Sequence, residues 1–130
     1  MAGGVPEKAG KIISGGPMMG RAIANLDAAT VKANGAILVL TPEETRRRPE
    51  SNCIRCAKCA SACPMGLEPW LLNKLSRAGG LHAELEKERV YDCIECGCCS
   101  FTCPAGIPLL DMIRMSKAEV MKIMRSRPKK

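Results

Sequence analysis

Aromatic residues are almost missing from this chain of 130 residues, which has only Trp70, Tyr91 and Phe101. Without aromatics interleaved among its basic residues, it offers no stacking platform for single-stranded nucleic acid. Long apolar runs are missing too: nothing approaches the roughly 18 or more apolar residues of a membrane-spanning helix, so any membrane association has to come through a partner or a surface patch. Histidine is reduced to His82. A lone histidine near a helix start reads as a surface or capping residue, not a metal ligand. The Gly-rich segment Ser14-Gly15-Gly16-Pro17 lacks the Gly-Lys-Ser or Gly-Lys-Thr of a phosphate-binding loop and is no G-x-G-x-x-G fingerprint, so it reads as a turn.

Cysteine, by contrast, is abundant. Eight of the nine fall into two copies of one pattern set 40 residues apart: Cys53, Cys56, Cys59 and Cys63 before Pro64, and Cys93, Cys96, Cys99 and Cys103 before Pro104. Each copy reads C-x-x-C-x-x-C-x-x-x-C-P, an established ligand pattern of bacterial two-cluster ferredoxins, in which the fourth cysteine serves the other cluster. Three cysteines at intervals of three in a tight loop bring three sulfurs onto three corners of one iron-sulfur cube. The small residues Ala57, Ala60, Ser61, Ala62, Gly97 and Ser100 let backbone N–H groups approach those sulfurs. The proline after each fourth cysteine fixes φ, offers no N–H and opens a helix, so the chain leaves its own loop there. The expected sites are Cys53, Cys56 and Cys59 with Cys103, and Cys93, Cys96 and Cys99 with Cys63. Each is expected to hold a [4Fe-4S] cluster for single-electron transfer.

Other uses of these cysteines fit less well. A disulfide framework sits badly with an odd count of nine and no signal-peptide pattern. Zinc sites favour two well-separated C-x-x-C pairs, unlike either four-cysteine run, though a structural zinc module stays an alternative. Cys98, between Gly97 and Cys99, is expected to point away from the cube as a small buried apolar residue. The formal charge of +7 falls to about +3 once eight thiolates and two oxidised cluster cores are counted. The basic residues concentrate at Arg46, Arg47 and Arg48, and in Arg114, Lys117, Lys122, Arg125, Arg127, Lys129 and Lys130. They read either as a solvated face and tail or as a contact for anionic lipid or an acidic redox partner.

Three zones differ along the chain. Residues 1–42 suggest a piece of an α+β unit: a turn at Ser14 to Pro17, a helical or irregular stretch from Ala22 to Ala33, and a strand at Ala36–Leu40 whose one available partner is Lys11–Ile13. A polar connector with Arg46 to Pro49 follows. From there the pattern is helical: Pro69 opens a helix stopped by Gly79 and Gly80, Leu81–Val90 offers a second, and Leu109, Met112, Ile113, Val120, Ile123 and Met124 mark a long amphipathic third. The expected fold is mainly α, with a partial α+β segment over 1–45 and a helical two-cluster ferredoxin-like domain over 46–130.

The string Ser14-Gly15-Gly16-Pro17-Met18-Met19-Gly20, then Val31-Lys32-Ala33, Gly35-Ala36-Ile37-Leu38, Cys53-Ile54-Arg55-Cys56, Pro64-Met65-Gly66-Leu67 and Cys93-Ile94-Glu95-Cys96-Gly97, resembles the C-terminal part of the C subunit of the Rnf-type ion-translocating electron transport complex. The resemblance runs in order over nearly the whole chain. It implies that the segment over 1–45 is β-grasp-like, and that a domain binding flavin mononucleotide (FMN) and NADH, present in longer family members, is missing here. It implies a peripheral subunit on the cytoplasmic face of a bacterial inner membrane, taking electrons from a flavin-bearing donor and passing them to other subunits, with no transmembrane helix of its own and no nucleic acid. The basic C-terminal helix becomes a candidate docking surface. An electron relay that does not oxidise NADH alone is expected, with a free-standing soluble two-cluster ferredoxin as the alternative.

Overall fold

The computed structural model describes residues 4–32 and 34–128; residues 1–3, Ala33, Lys129 and Lys130 lie outside them. The chain forms two units, Met1–Arg48 and Pro49–Lys130.

The first unit is built on a three-stranded antiparallel sheet of β1 (Lys11–Ser14), β2 (Arg21–Ala22) and β3 (Ile37–Leu40), in the order β2-β1-β3. β1 pairs Ile12 with Val39 and Ile13 with Leu38, and Ile13 also faces Ala22. The strand expected at Ala36–Leu40 therefore has the partner suspected at Lys11–Ile13, and two-residue β2 converts a marginal ribbon into a sheet. The turn at Ser14 to Pro17 carries the chain from β1 to β2. It depends on glycine at two places: Gly15 has φ 103°, and a Cβ on Gly20 would lie 2.3 Å from Ile13 Cγ2 and 2.6 Å from Gly16 O. Between β2 and β3 the described residues are irregular, so the stretch beginning at Ala22 takes the irregular option and no helix forms. Asn34 closes this segment locally, its Nδ2 donating to Ser14 Oγ and its Oδ1 accepting from Val31 N at 2.7 Å.

Among the described residues, all five α-helices lie in the second unit: α1 (Lys58–Ser61), α2 (Pro69–Ala78), α3 (His82–Lys87), α4 (Cys98–Thr102) and α5 (Leu109–Ser126). Helices account for 37% of the structure, which is roughly compatible with the mainly α expectation, the helical character lying in this unit beside the small sheet of the first. α2 begins with Pro69 at its first position and ends at Gly79, whose φ of 71° few other residues adopt readily. Its buried Leu72 packs with Leu85 of α3 and with Leu109, Ile113 and Val120 of α5 in one apolar core. That set repeats at the helical period, so each element's apolar stripe meets another's.

α3 is shorter than the expected Leu81–Val90. Arg89 turns left-handed at φ 57°, its Nε donates to Asp92 Oδ2 at 2.7 Å, and a 3-10 turn over Val90–Asp92 follows with Val90 fully buried. His82 opens α3 without capping it; its Nδ1 lies 3.7 Å from Glu119 Oε2 of α5 and has no hydrogen-bond partner.

Candidate metal centre

Both cysteine runs fold alike because they repeat the same backbone. In the first, Arg55 and Ala57 are left-handed, with φ of 54° and 59°; at the matching places in the second, Glu95 and Gly97 have φ of 59° and 82°. Left-handed residues alternating with cysteines curl each run into a tight bowl, the backbone form that accepts anionic groups at phosphate and iron-sulfur sites. One short helix leaves each bowl, α1 carrying buried Cys59 and α4 carrying buried Cys99. Each run then ends in the same turn: Gly66 N donates to Cys63 O at 3.2 Å and Gly106 N to Cys103 O at 3.3 Å, with both glycines at positive φ.

The turns send the fourth cysteines across. Cys53, Cys56 and Cys59 line one hollow of about 220 Å³ together with Cys103, while Trp70, Ile107 and Leu109 supply apolar wall. Cys93, Cys96 and Cys99 line a second, of about 20 Å³, together with Cys63, against Leu72, Leu110 and Ile113. Ser51 N donates to Ala105 O at 2.9 Å, tying the entry of the first run to the exit of the second.

Among the described residues, no three His, Cys, Asp or Glu side chains converge as a single metal ion would require. The thiols instead surround two hollows, the arrangement a multinuclear cube would take, with room in the first and a narrower second. Burial pushes the Cys99 thiol up to about 11 and raises Cys59 and Cys93 as well, against backbone N–H groups of Ser100, Trp70 and Glu95 that act the other way. These thiols hold their protons until a positively charged group compensates the thiolates, so metal uptake is coupled to proton release.

Residues 50–107 match the model of the 4Fe-4S dicluster domain. The chain is 47% identical over 121 residues to the C subunit of the ion-translocating oxidoreductase complex of Yersinia enterocolitica, covering 92% of this chain and 17% of that protein. It is 46% identical over 86 residues to the C subunit of the proton-translocating ferredoxin:NAD(+) oxidoreductase complex of Clostridium ljungdahlii, covering 66% and 19%, and 43% identical over 79 residues to the C subunit of the Rhodobacter capsulatus ion-translocating complex, covering 61% and 15%. This chain is a relative of these C subunits. It spans under a fifth of the length of these curated relatives.

Within this relative of the C subunits the two dicluster loops are held differently. Lys117 Nζ of α5 donates to Cys93 O at 2.7 Å and to Glu95 Oε1 at 3.1 Å, and Arg114 Nε donates to Glu95 Oε2 at 2.9 Å. Arg114 and Lys117, read either as part of a solvated face or as a contact for an anionic partner, are folded onto the second loop, with side chains 15% and 22% exposed. The reason is the charge of Glu95, which offers both cations a partner. Arg127, just beyond α5, pairs with Glu86 of α3 at 2.8 Å while its side chain stays 55% exposed. Cys98, expected to be a small buried apolar residue, is half-buried, and the neighbouring Cys96 thiol makes it hold its proton more tightly, raising its pKa. The sequence reading missed this clamp. Its one visible signal is the change from Arg55 to Glu95 between otherwise matched loops.

Proposed function

We propose that the chain relays single electrons through two [4Fe-4S] clusters, as the electron-transfer portion of a membrane-associated ion-translocating oxidoreductase of the Rnf type. One cluster is held by Cys53, Cys56, Cys59 and Cys103, the other by Cys93, Cys96, Cys99 and Cys63. The observation that carries the reading is the crossed grouping of the eight cysteines in the two hollows, together with the match of residues 50–107 to a dicluster domain. When bound, such clusters accept and return one electron at a time, at potentials set by hydrogen bonds, charge and burial. The chain's residues supply eight thiolates, exclude water with Trp70, Leu72, Ile107 and Ile113, and fix the crossing of the two loops through Ser51 and Ala105.

The relatives' names speak of a multisubunit complex, an ion and NAD(+). In that setting the chain works beside other complex subunits at the cytoplasmic face of a bacterial inner membrane. It receives electrons from a flavin-bearing donor, while FMN and NADH bind elsewhere in the complex. The segment over 1–45 is read as β-grasp-like, with the helical cluster domain over 46–130. NADH alone is not expected to reduce the chain.

Crossed ligation has a decisive genetic signature. The pair Cys53→Ser with Cys103→Ser strips ligands from one cluster and should leave about four iron per chain, whereas Cys53→Ser with Cys63→Ser strips both clusters and should leave almost none. The reverse outcome would show that each run serves its own cluster.

A further inference from the structure

The internal repeat sets two loops of one backbone side by side, and their surfaces have diverged. Ile54 and Ile94 are both exposed, at 68% and 56%, so an apolar side chain beside each site is common to the pair. The charges differ. Where the second loop has Glu95, bound by Arg114 and Lys117, the first has Arg55, and where the second has Cys98 the first has Lys58. Arg55 and Lys58 are exposed, and among the described residues neither takes part in an ion pair. Cys53 and Cys56 beside them are exposed as well, whereas Cys93 and Cys96 are half-buried beside the clamp.

We propose that the first loop is the port at which this chain docks an acidic electron-carrier protein, with Arg55 and Lys58 receiving the carrier's carboxylates and Ile54 making the apolar contact at its centre. The proposal rests on the two-cluster reading and adds which loop meets the partner and what the partner's surface is made of. Two unpaired cations around an exposed apolar residue fit a carboxylate rim around an apolar patch, and such rim charges act mainly on encounter rate and salt dependence. A protein carrier is favoured over anionic lipid because the cations flank exposed thiols, a position that matters to a partner bringing an electron and gives a headgroup no added contact. The second loop, closed by its own Glu95 pairs, has spent its charges internally and offers less.

The test uses the reconstituted chain and a flavodoxin, a small acidic one-electron carrier without iron, with affinity read by titration calorimetry. Raising ionic strength from about 0.01 M to about 0.1 M shortens the screening length from about 30 Å to about 10 Å and should weaken wild-type binding several-fold. Arg55→Gln with Lys58→Gln should weaken binding about tenfold at the lower salt. Lys122→Gln with Arg125→Gln, which removes the same charge from exposed positions of α5, should change it by less than about twofold. Equal weakening by both pairs would reduce the effect to net charge and overturn the proposal, as would an Arg55/Lys58 pair that binds like wild type. Loss of binding to phosphatidylglycerol vesicles in that pair, with flavodoxin affinity unchanged, would assign the surface to lipid and overturn it too. Iron and sulfide counted on the same samples separate the two claims. Loaded chain without the affinity pattern overturns the docking proposal alone; wild-type chain that loads no clusters overturns the relay reading and the docking proposal with it.

Discussion

Arg55 and Glu95 occupy one position in the repeat, share one backbone conformation and do opposite things with their charge. Glu95 accepts charge-assisted hydrogen bonds from both Arg114 and Lys117 in a setting where its side chain is 27% exposed. Burial pushes its carboxyl up, but the hydrogen bonds and charges of Lys117 and Arg114 outweigh that and hold it below the usual range. Glu95→Gln removes the negative charge that Arg114 and Lys117 share and should destabilise the second unit by about 1–3 kcal/mol in denaturant titration, with Arg55→Gln near zero as the matched control. Little of this was legible from residues alone. Gly66, Gly97 and Gly106 announce left-handed backbone, but Arg55, Ala57 and Glu95 adopt it against their own preference, held there by the loop that the cysteines share.

At the scale of elements, the sequence was most informative where punctuation and period agree. Pro69 and Gly79 bracket α2, and Leu109, Ile113 and Val120 mark the core-facing side of α5, so both were expected and both formed. It was less informative where a tertiary contact decides. β2 is too short to show a period, α3 stops early because Val90 is drawn into the core, and Arg114 and Lys117 turn inward toward Glu95. Leu72 and Ile113 are each 1% exposed at the meeting of α2 and α5. Leu72→Ala and Ile113→Ala should each cost about 2–5 kcal/mol. Met115→Ala, on the same helix but 63% exposed, should change stability by less than about 0.5 kcal/mol. A second element-level expectation concerns pH. The hydrogen bond from Arg127 holds the Glu86 carboxyl below its ordinary value. A carboxyl depressed in the folded chain adds stability above its unfolded value, and that contribution disappears as pH falls through the lowered one. The last turn of α5 should therefore stay docked at neutral pH and exchange its amides faster, relative to the rest of the helix, on acidification through the carboxylate range. Glu86→Gln should remove that relative change.

For the whole molecule, the fold of the second unit and the placement of its thiols are one fact. The core of Leu72, Leu109, Ile113 and Val120 brings α2 and α5 together, and the two Cys-Pro-x-Gly turns then carry Cys63 and Cys103 to opposite hollows. The repeated ligand pattern leads to the expectation of crossed ligation, and the cysteines lining each hollow support that proposal. The sheet of the first unit was only half legible, since short strands carry little signal, and the charged clamp was hidden because it joins residues some 20 positions apart. The central claim is that these eight cysteines hold two iron-sulfur cubes that pass single electrons. Its most direct test is to count iron, acid-labile sulfide and zinc per chain after anaerobic purification from cells that assemble clusters, with an electron paramagnetic resonance spectrum of the dithionite-reduced protein. Two-cluster relay predicts about eight iron and eight sulfide, with the spectrum of two interacting reduced clusters. About two zinc and no sulfide would contradict it and leave a structural cysteine module.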